Sequence, residues 1–293
     1  SLVAMLVVGG VLFIAWCVWD SFFAEYPFMP RRAFNRTFVA CVLIDFFYYS
    51  SSYLIDTYFN SWVYVIVDWS DRNYGFFINT VSTAVCGLAI FSGLIIRYTH
   101  RYKYIQIVGL CTRTIGLGLV YLATKRPSDA VLVTSQVLVG TGGAISIISS
   151  YIGVQGSVPH QDMAIATAVL NLISSIGSSI TVAISSAVWN KEVPANLERY
   201  VGDIYNATGR AEIFGSIYIA RLAEPRPLIQ QAYMESTRGL FLAGLIVSFG
   251  SIIAGVFARN FYLTSAHNAV EPHKIISMSK KDDDESHDHK AGW

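Results

Sequence analysis

The chain has 293 residues, is 53% hydrophobic and 14% charged, and carries a net charge of +1. Soluble domains carry about a quarter charged residues, and the mean hydropathy here is +0.46, which excludes an ordinary soluble domain and points to an integral membrane protein. The near-neutral charge argues against nucleic acid as a partner.

At about twenty apolar residues per bilayer crossing, seven spans are predicted: residues 2–19, 37–58, 74–96, 104–124, 130–154, 161–189 and 239–258. No ten-residue alternation recurs, so a β-barrel is not expected, and the class is an all-α membrane protein. The 161–189 span is long enough to tilt or to extend past the bilayer. The stretch from Ala130 to Trp189 reads as two apolar runs joined by a polar connector, Gln155 to Asp162. Both runs carry Gly, Ser and Thr where a soluble core carries Leu and Phe, a composition that lets helices pack closely in a membrane. The cysteines Cys17, Cys41, Cys86 and Cys111 lie in apolar runs without CxxC spacing and are expected as small core residues.

The first span holds no charge or amide, and Trp16 and Trp19 sit at its end like interfacial anchors. It reads as an accessory helix, with a linker, over residues 1–35. The chain starts at Ser1 inside this apolar run, and a longer parent protein is expected. Arg31, Arg32 and Arg36 precede the second span, Arg97, Arg101 and Lys103 join the third to the fourth, and Arg259 follows the last. Placing these on the cytoplasmic side is consistent through all seven crossings, although Arg72, Lys125 and Arg126 then lie opposite. The six later spans form a unit over residues 36–263. Within it, residues 190–238 are a long outer loop, expected to gate or recognise ligands. Ile213, Ile217 and Ala220 of that loop have weak helical spacing and could lie flat on the membrane. Asn206-Ala-Thr is a glycosylation sequon on the outer side, and Asn35-Arg-Thr is one on the inner side, expected unused. Residues 264–293 mix charges with few large apolar residues and are expected to be disordered. Their His287-Asp288-His289 cluster reads as part of a solvated tail.

The second span is where chemistry is expected. Asp45 and Asp56 are eleven residues apart, which at about 100° per residue returns them to nearly one face. One stripe therefore reads Cys41, Asp45, Tyr48 and Tyr49, Ser52, Asp56. A carboxylate in a bilayer is costly and faces a cavity or a partner, so Asp45 and Asp56 are candidate proton carriers. The bland alternatives are a structural partnership of Asp45 with Arg113, and an interfacial position for Asp56. Arg113 lies mid-span beside Gly109, Gly116 and Gly118. At that depth it needs a carboxylate or carbonyls, and an ion pair with Asp45 is expected ahead of substrate binding. In the fifth span Gln136, Gly140 and Gly143 precede Ser146 and Ser150. In the sixth, Thr167, Asn171, Ser174 and Ser178 form a polar stripe beside Gly177. Either stripe serves helix packing or a ligand cavity.

Six spans with a basic turn between the second and third resemble the C-terminal half of a major facilitator superfamily transporter. Gly93-Leu-Ile-Ile-Arg97-Tyr-Thr-His-Arg101-Tyr-Lys103 is similar to that superfamily's GxLaDrxGrr loop, without its Asp and its second Gly. DFFYYSSSYL, RYTHRYKYIQ, GSVPHQDMAIATAVLNLISSIGSSI, IFGSIYIARL and NFYLTSAHNAVE together resemble the fungal siderophore–iron transporters. That resemblance implies a C-terminal six-helix bundle plus one accessory transmembrane helix, completed by an N-terminal bundle from the rest of a fourteen-span carrier. It implies proton-coupled uptake of ferric siderophores of the hydroxamate class by alternating access. Iron is then cargo inside its chelator, and no cofactor or resident metal is expected. The implied roles are Asp45, Asp56 and Arg113 in proton coupling, and Tyr48, Tyr49, Ser52, Gln136, Asn171, Tyr205 and Tyr218 on the substrate. Arg97, Arg101, His160 and Asp162 would form an inner gate. The plasma membrane and an endosomal or vacuolar membrane both suit it. A drug–proton antiporter of the same superfamily and an inactive half-transporter are the alternatives. An enzyme is not expected, because no HExxH, GxSxG or in-span histidine cluster occurs.

Overall fold

The computed structural model describes residues 35–258 and, in a preceding helical stretch, residues 8–12, 14–15 and 18–19. The expectations for the accessory span as a unit, for Cys17, Arg31, Arg32 and Arg259, and for the 264–293 tail lie outside the described residues. The helices are α1 (Arg36–Ile66), α2 (Asp71–Ile78), α3 (Thr80–Thr99), α4 (Tyr102–Ala123), α5 (Asp129–Ser157), α6 (Met163–Val201), α7 (Ala207–Gly215), α8 (Ile217–Leu222) and α9 (Arg226–Phe257). A single 3-10 turn, His160–Asp162, separates α5 from α6. Six helical spans, α2 and α3 together counting as one, are long and apolar enough to cross a membrane.

Local chemistry sets these boundaries. Asn35 caps α1 by accepting from the Phe38 N–H at 2.8 Å, the usual task of a short polar side chain there. The predicted 74–96 span is broken at Asn79, whose amide donates to the Gly75 carbonyl at 2.8 Å and competes with the helical ladder. His100 ends α3 in the left-handed region, φ 54°. It stands where the superfamily loop has its second glycine, so the turn survives the loss of that residue.

The packing has an internal repeat. α4 lies along α5 as α9 lies along α1, and α3 packs on α5 as α6 packs on α1. The first three spans and the last three are thus related by exchange. At one end Arg36 Nε donates to the Phe257 carbonyl at 3.1 Å and Lys103 Nζ to Val256 at 2.7 Å. Both cations sit on the C-terminal carbonyls of α9, where the helix dipole favours them. This is the end expected to face the cytoplasm.

The long outer loop is corrected by the structure, because most of residues 190–238 are helical. α6 runs on past Trp189 with Val193, Leu197 and Val201 all buried. α9 starts at Arg226 and buries Ile229, Ala232 and Tyr233. The apolar residues recur at i, i+4 and i+8 in α6 and at i, i+3 and i+4 in α9, but charged and proline residues between them disguise the pattern. The middle segment turns part of its predicted membrane-facing stripe inward. Ile213 and Ala220 are buried in the same core as Trp62, Phe241 and Tyr233, and the Tyr233 hydroxyl donates to the Ile213 carbonyl. The cap so formed is pinned to the top of α1. Arg221 reaches the Trp69 carbonyl, lies 3.5 Å from Asp71 and sits 4.5 Å from the Tyr64 ring centroid. Arg226 pairs with Asp68, and Gln230 donates to the Ile66 carbonyl at 2.8 Å. The cysteine expectation is also corrected in part. Cys41 is buried, Cys111 is half-buried, and Cys86 is exposed, because α3 buries only Ser92 and Ile96.

Candidate functional site

The stripe predicted on α1 exists, and its burial falls along it. Cys41 is fully buried, Asp45 is 3% exposed and Tyr48 7%, whereas Ser52 is half-buried and Asp56 exposed. The inner part is covered by α4 and α5; the outer part reaches the chain's surface.

Close approach of α4 to α5 creates the cover. A Cβ on Gly109 would lie 2.7 Å from the Ile145 side chain, and one on Gly142 would collide with the Arg113 backbone. Only glycine permits this crossing. From it the Arg113 side chain, 1% exposed, extends to α1. Its Nη2 donates to Ser52 Oγ at 2.6 Å and to the Tyr48 carbonyl at 3.2 Å. Its guanidinium lies 4.1 Å from the Tyr48 ring centroid, a cation–π contact. The Tyr48 hydroxyl in turn rests over Gly143, where a Cβ would stand 2.6 Å away. The expected ion pair with Asp45 is absent: among the described residues Arg113 pairs with neither Asp45 nor Asp56. Docking on Ser52 and the Tyr48 ring holds the guanidinium between the two carboxylates along α1, and its Nε and Nη1 have no hydrogen-bond partner.

Asp45 is served by a different group. The Ser150 hydroxyl is directed at its carboxyl and itself accepts from Gln106 Nε2 at 2.8 Å. Both partners are fully buried. Gln106 was not among the residues predicted for the site. The available signal was an amide in an apolar span, seven residues before Arg113 and so on the same helix face. Beside Asp45, Tyr49 is within electrostatic reach of Tyr53 and Tyr151. The Tyr151 hydroxyl donates to Asn171 Oδ1 at 2.6 Å, joining α5 to α6 on an exposed face. Tyr53 and Tyr151 were likewise not predicted, because tyrosines in apolar runs read as packing.

The other predicted residues fall elsewhere. Gln136 is buried on α5, fifteen residues before Tyr151 and hence about 22 Å along the helix, so it does not join Asn171. Tyr205 donates to the Glu224 carbonyl at 2.6 Å, and Tyr218 packs edge-on against Tyr64 at 5.3 Å; both belong to the outer cap. Arg97, in the last turn of α3, and Arg101 and His160, in the turns between spans, are exposed, and Asp162 is buried. Asn206 is exposed and caps α7 through its Oδ1, which accepts from Gly209 at 2.8 Å. No group of three His, Cys, Asp or Glu side chains able to hold a metal occurs among the described residues.

Six apolar spans, packed as two exchanged triplets around buried charge, define a multi-pass integral membrane protein of the major facilitator type. No family model matches the chain. It is 38% identical over 276 residues to the low affinity heme transporter str3 of Schizosaccharomyces pombe. It is 32% identical over 281 residues to the siderophore transporter fer7 of Mycosarcoma maydis, and 29% identical over 295 residues to the siderophore iron transporter mirC of Emericella nidulans. These matches cover 92%, 92% and 96% of this chain, and 44%, 42% and 48% of the relatives. The chain spans about half the length of the curated relatives it matches. It belongs to the fungal siderophore–iron transporter family of the major facilitator superfamily, a family of carriers rather than enzymes.

Proposed function

We propose that this chain forms one bundle of a proton-coupled carrier that takes up ferric siderophores of the hydroxamate class. The observation that carries the reading is a polar aromatic face: Tyr49, within electrostatic reach of the buried Asp45, neighbours Tyr53 and the Tyr151–Asn171 pair. A ferric hydroxamate is a bulky chelate with carbonyls and amides around a shielded metal. It needs aromatic surface and hydrogen bonds, not protein ligands to iron. Phenols and an amide supply both donors and acceptors.

A second bundle, contributed by the rest of a full-length carrier, covers this face, and the two rock around a midplane site. Asp45 takes a proton from the outer side and releases it inside, and its protonation state biases one conformation over the other. Gln106 and Ser150 hold the carboxyl in place; Arg113 and Asp56 form the outer arm of the same stripe. A second reading, heme as cargo, is favoured by one observation, the name of the relative at 38% identity.

The test is uptake by the full-length parent of labelled ferric siderophores and, separately, of hemin, with Asp45→Asn beside the unchanged protein. Siderophore accumulation that collapses a proton gradient, and that is lost in Asp45→Asn, is expected. Gradient-coupled uptake untouched by that change would sink the carboxylate assignment. Accumulation of hemin alone would favour the second reading.

A further inference from the structure

At the end of the bundle opposite Arg36 and Lys103, α4 and α9 diverge around a cleft of about 440 Å³. Thr124, Lys125, Gln231, Met234, Glu235 and Arg238 line it. Its charge is unusual. Lys125 and Arg238 both lie within electrostatic reach of one neutral group, the Tyr121 phenol, and Lys125 Nζ stands 5.0 Å from its ring centroid. Neither cation has an ion pair among the described residues. The one carboxylate in the cleft is already engaged: Glu235 lies 3.5 Å from Arg199 and accepts from the Tyr200 hydroxyl. Two like charges beside a single phenol repel each other, and an anion between them turns that repulsion into attraction.

The position says which anion. Lys125 directly follows the apolar run of α4, and Arg238 directly precedes that of α9, so both stand where hydrocarbon gives way to headgroups. Below them the surface is apolar and exposed: Leu122 three residues before Lys125, and Leu242 and Ile246 four and eight residues after Arg238. At i, i+4 and i+8 these continue the Arg238 face. A soluble anion gains nothing from that surface, whereas acyl chains cover it.

We propose that Lys125, Arg238 and Tyr121 form a binding site for the phosphate of an anionic phospholipid in the leaflet on this side. The guanidinium and ammonium donate to the phosphate oxygens, and the chains run down Leu122, Leu242 and Ile246. The lipid thereby ties α4 to α9, the last helices of the two triplets.

The test is the Tm of the purified chain in neutral detergent with phosphatidylglycerol, with a diacylglycerol of the same chains, and with inorganic phosphate at equal concentration. Phosphatidylglycerol is expected to raise Tm by about 3 °C, and the diacylglycerol to leave it unchanged. Lys125→Gln/Arg238→Gln abolishes the shift, and Arg126→Gln, a neighbouring arginine outside the cleft, retains it. Native mass spectrometry counting bound phosphatidylglycerol on Lys125→Gln alone gives a readout that does not depend on the double variant folding; fewer bound lipids than on the unchanged chain are expected. A shift of equal size from inorganic phosphate would assign the site to a soluble anion and overturn the lipid. No shift with either, or a full shift in the double variant, would overturn the site.

Discussion

Ser52 is the smallest side chain on the α1 stripe and holds its most expensive partner. Among the described residues it supplies the only side-chain hydrogen-bond acceptor to a buried guanidinium. A hydrogen bond to a charged group contributes about 1.5–3 kcal/mol, so Ser52→Ala is expected to lower Tm in detergent, and Ser52→Thr, which keeps the hydroxyl, to restore most of it. An unchanged Tm in Ser52→Ala would mean that Arg113 is held by the Tyr48 ring and carbonyl without the hydroxyl. Position along the sequence found Asp45, Tyr48, Ser52, Asp56 and Arg113, because charge in an apolar run is conspicuous. It did not pair them. Asp45 and Arg113 share a depth, but the guanidinium follows the hydroxyl and the ring, and the carboxyl follows Ser150.

Between helices, the glycines of the apolar spans separate into two kinds. Gly142 and Gly109 face backbone and side chains across the α4–α5 crossing, whereas Gly118 meets nothing within 4 Å. Overpacking costs about 1–3 kcal/mol, so Gly142→Ala is expected to reduce thermal stability clearly, while Gly118→Ala leaves it unchanged or slightly raised. Equal effects at the two positions would contradict the observed crossing. At this scale the sequence misread α6 and α9, whose outer turns carry charge and proline on one face and Val193, Leu197, Ile229 and Tyr233 on the other. Composition averages the two faces; packing responds to one.

For the molecule as a whole, the two ends carry separate expectations. Asn206 is exposed with its amide nitrogen free of the cap it makes through Oδ1. The Asn35 amide instead donates to the Ser157 carbonyl at 2.6 Å. Expression in a glycosylating host is expected to give an endoglycosidase-sensitive band shift that Asn206→Gln removes and Asn35→Gln does not touch. A shift that persists in Asn206→Gln would reverse the assigned orientation. The span made by α2 and α3 is the least covered of the six, burying only two α3 residues, Ser92 and Ile96. A helix so open needs lipid or a second bundle along its length. Expressed alone, the chain is expected to accumulate no ferric siderophore, and to do so only when co-expressed with the remaining half of a full-length carrier.

The sequence by itself determined the solvent of this protein, its number of apolar crossings after residue 36 and the residues on the α1 stripe. Those follow from hydropathy and helical period, which are properties of one segment at a time. Tertiary structure alone decided that Arg113 binds Ser52 and Tyr48 rather than Asp45, and that Gln106 and Ser150 hold Asp45. It also folded the outer segment into a cap and brought Lys125 to Arg238. Each of these is a contact between segments far apart in the chain. Which partner wins there depends on where glycines let two helices touch, and that distance is not written in either helix alone.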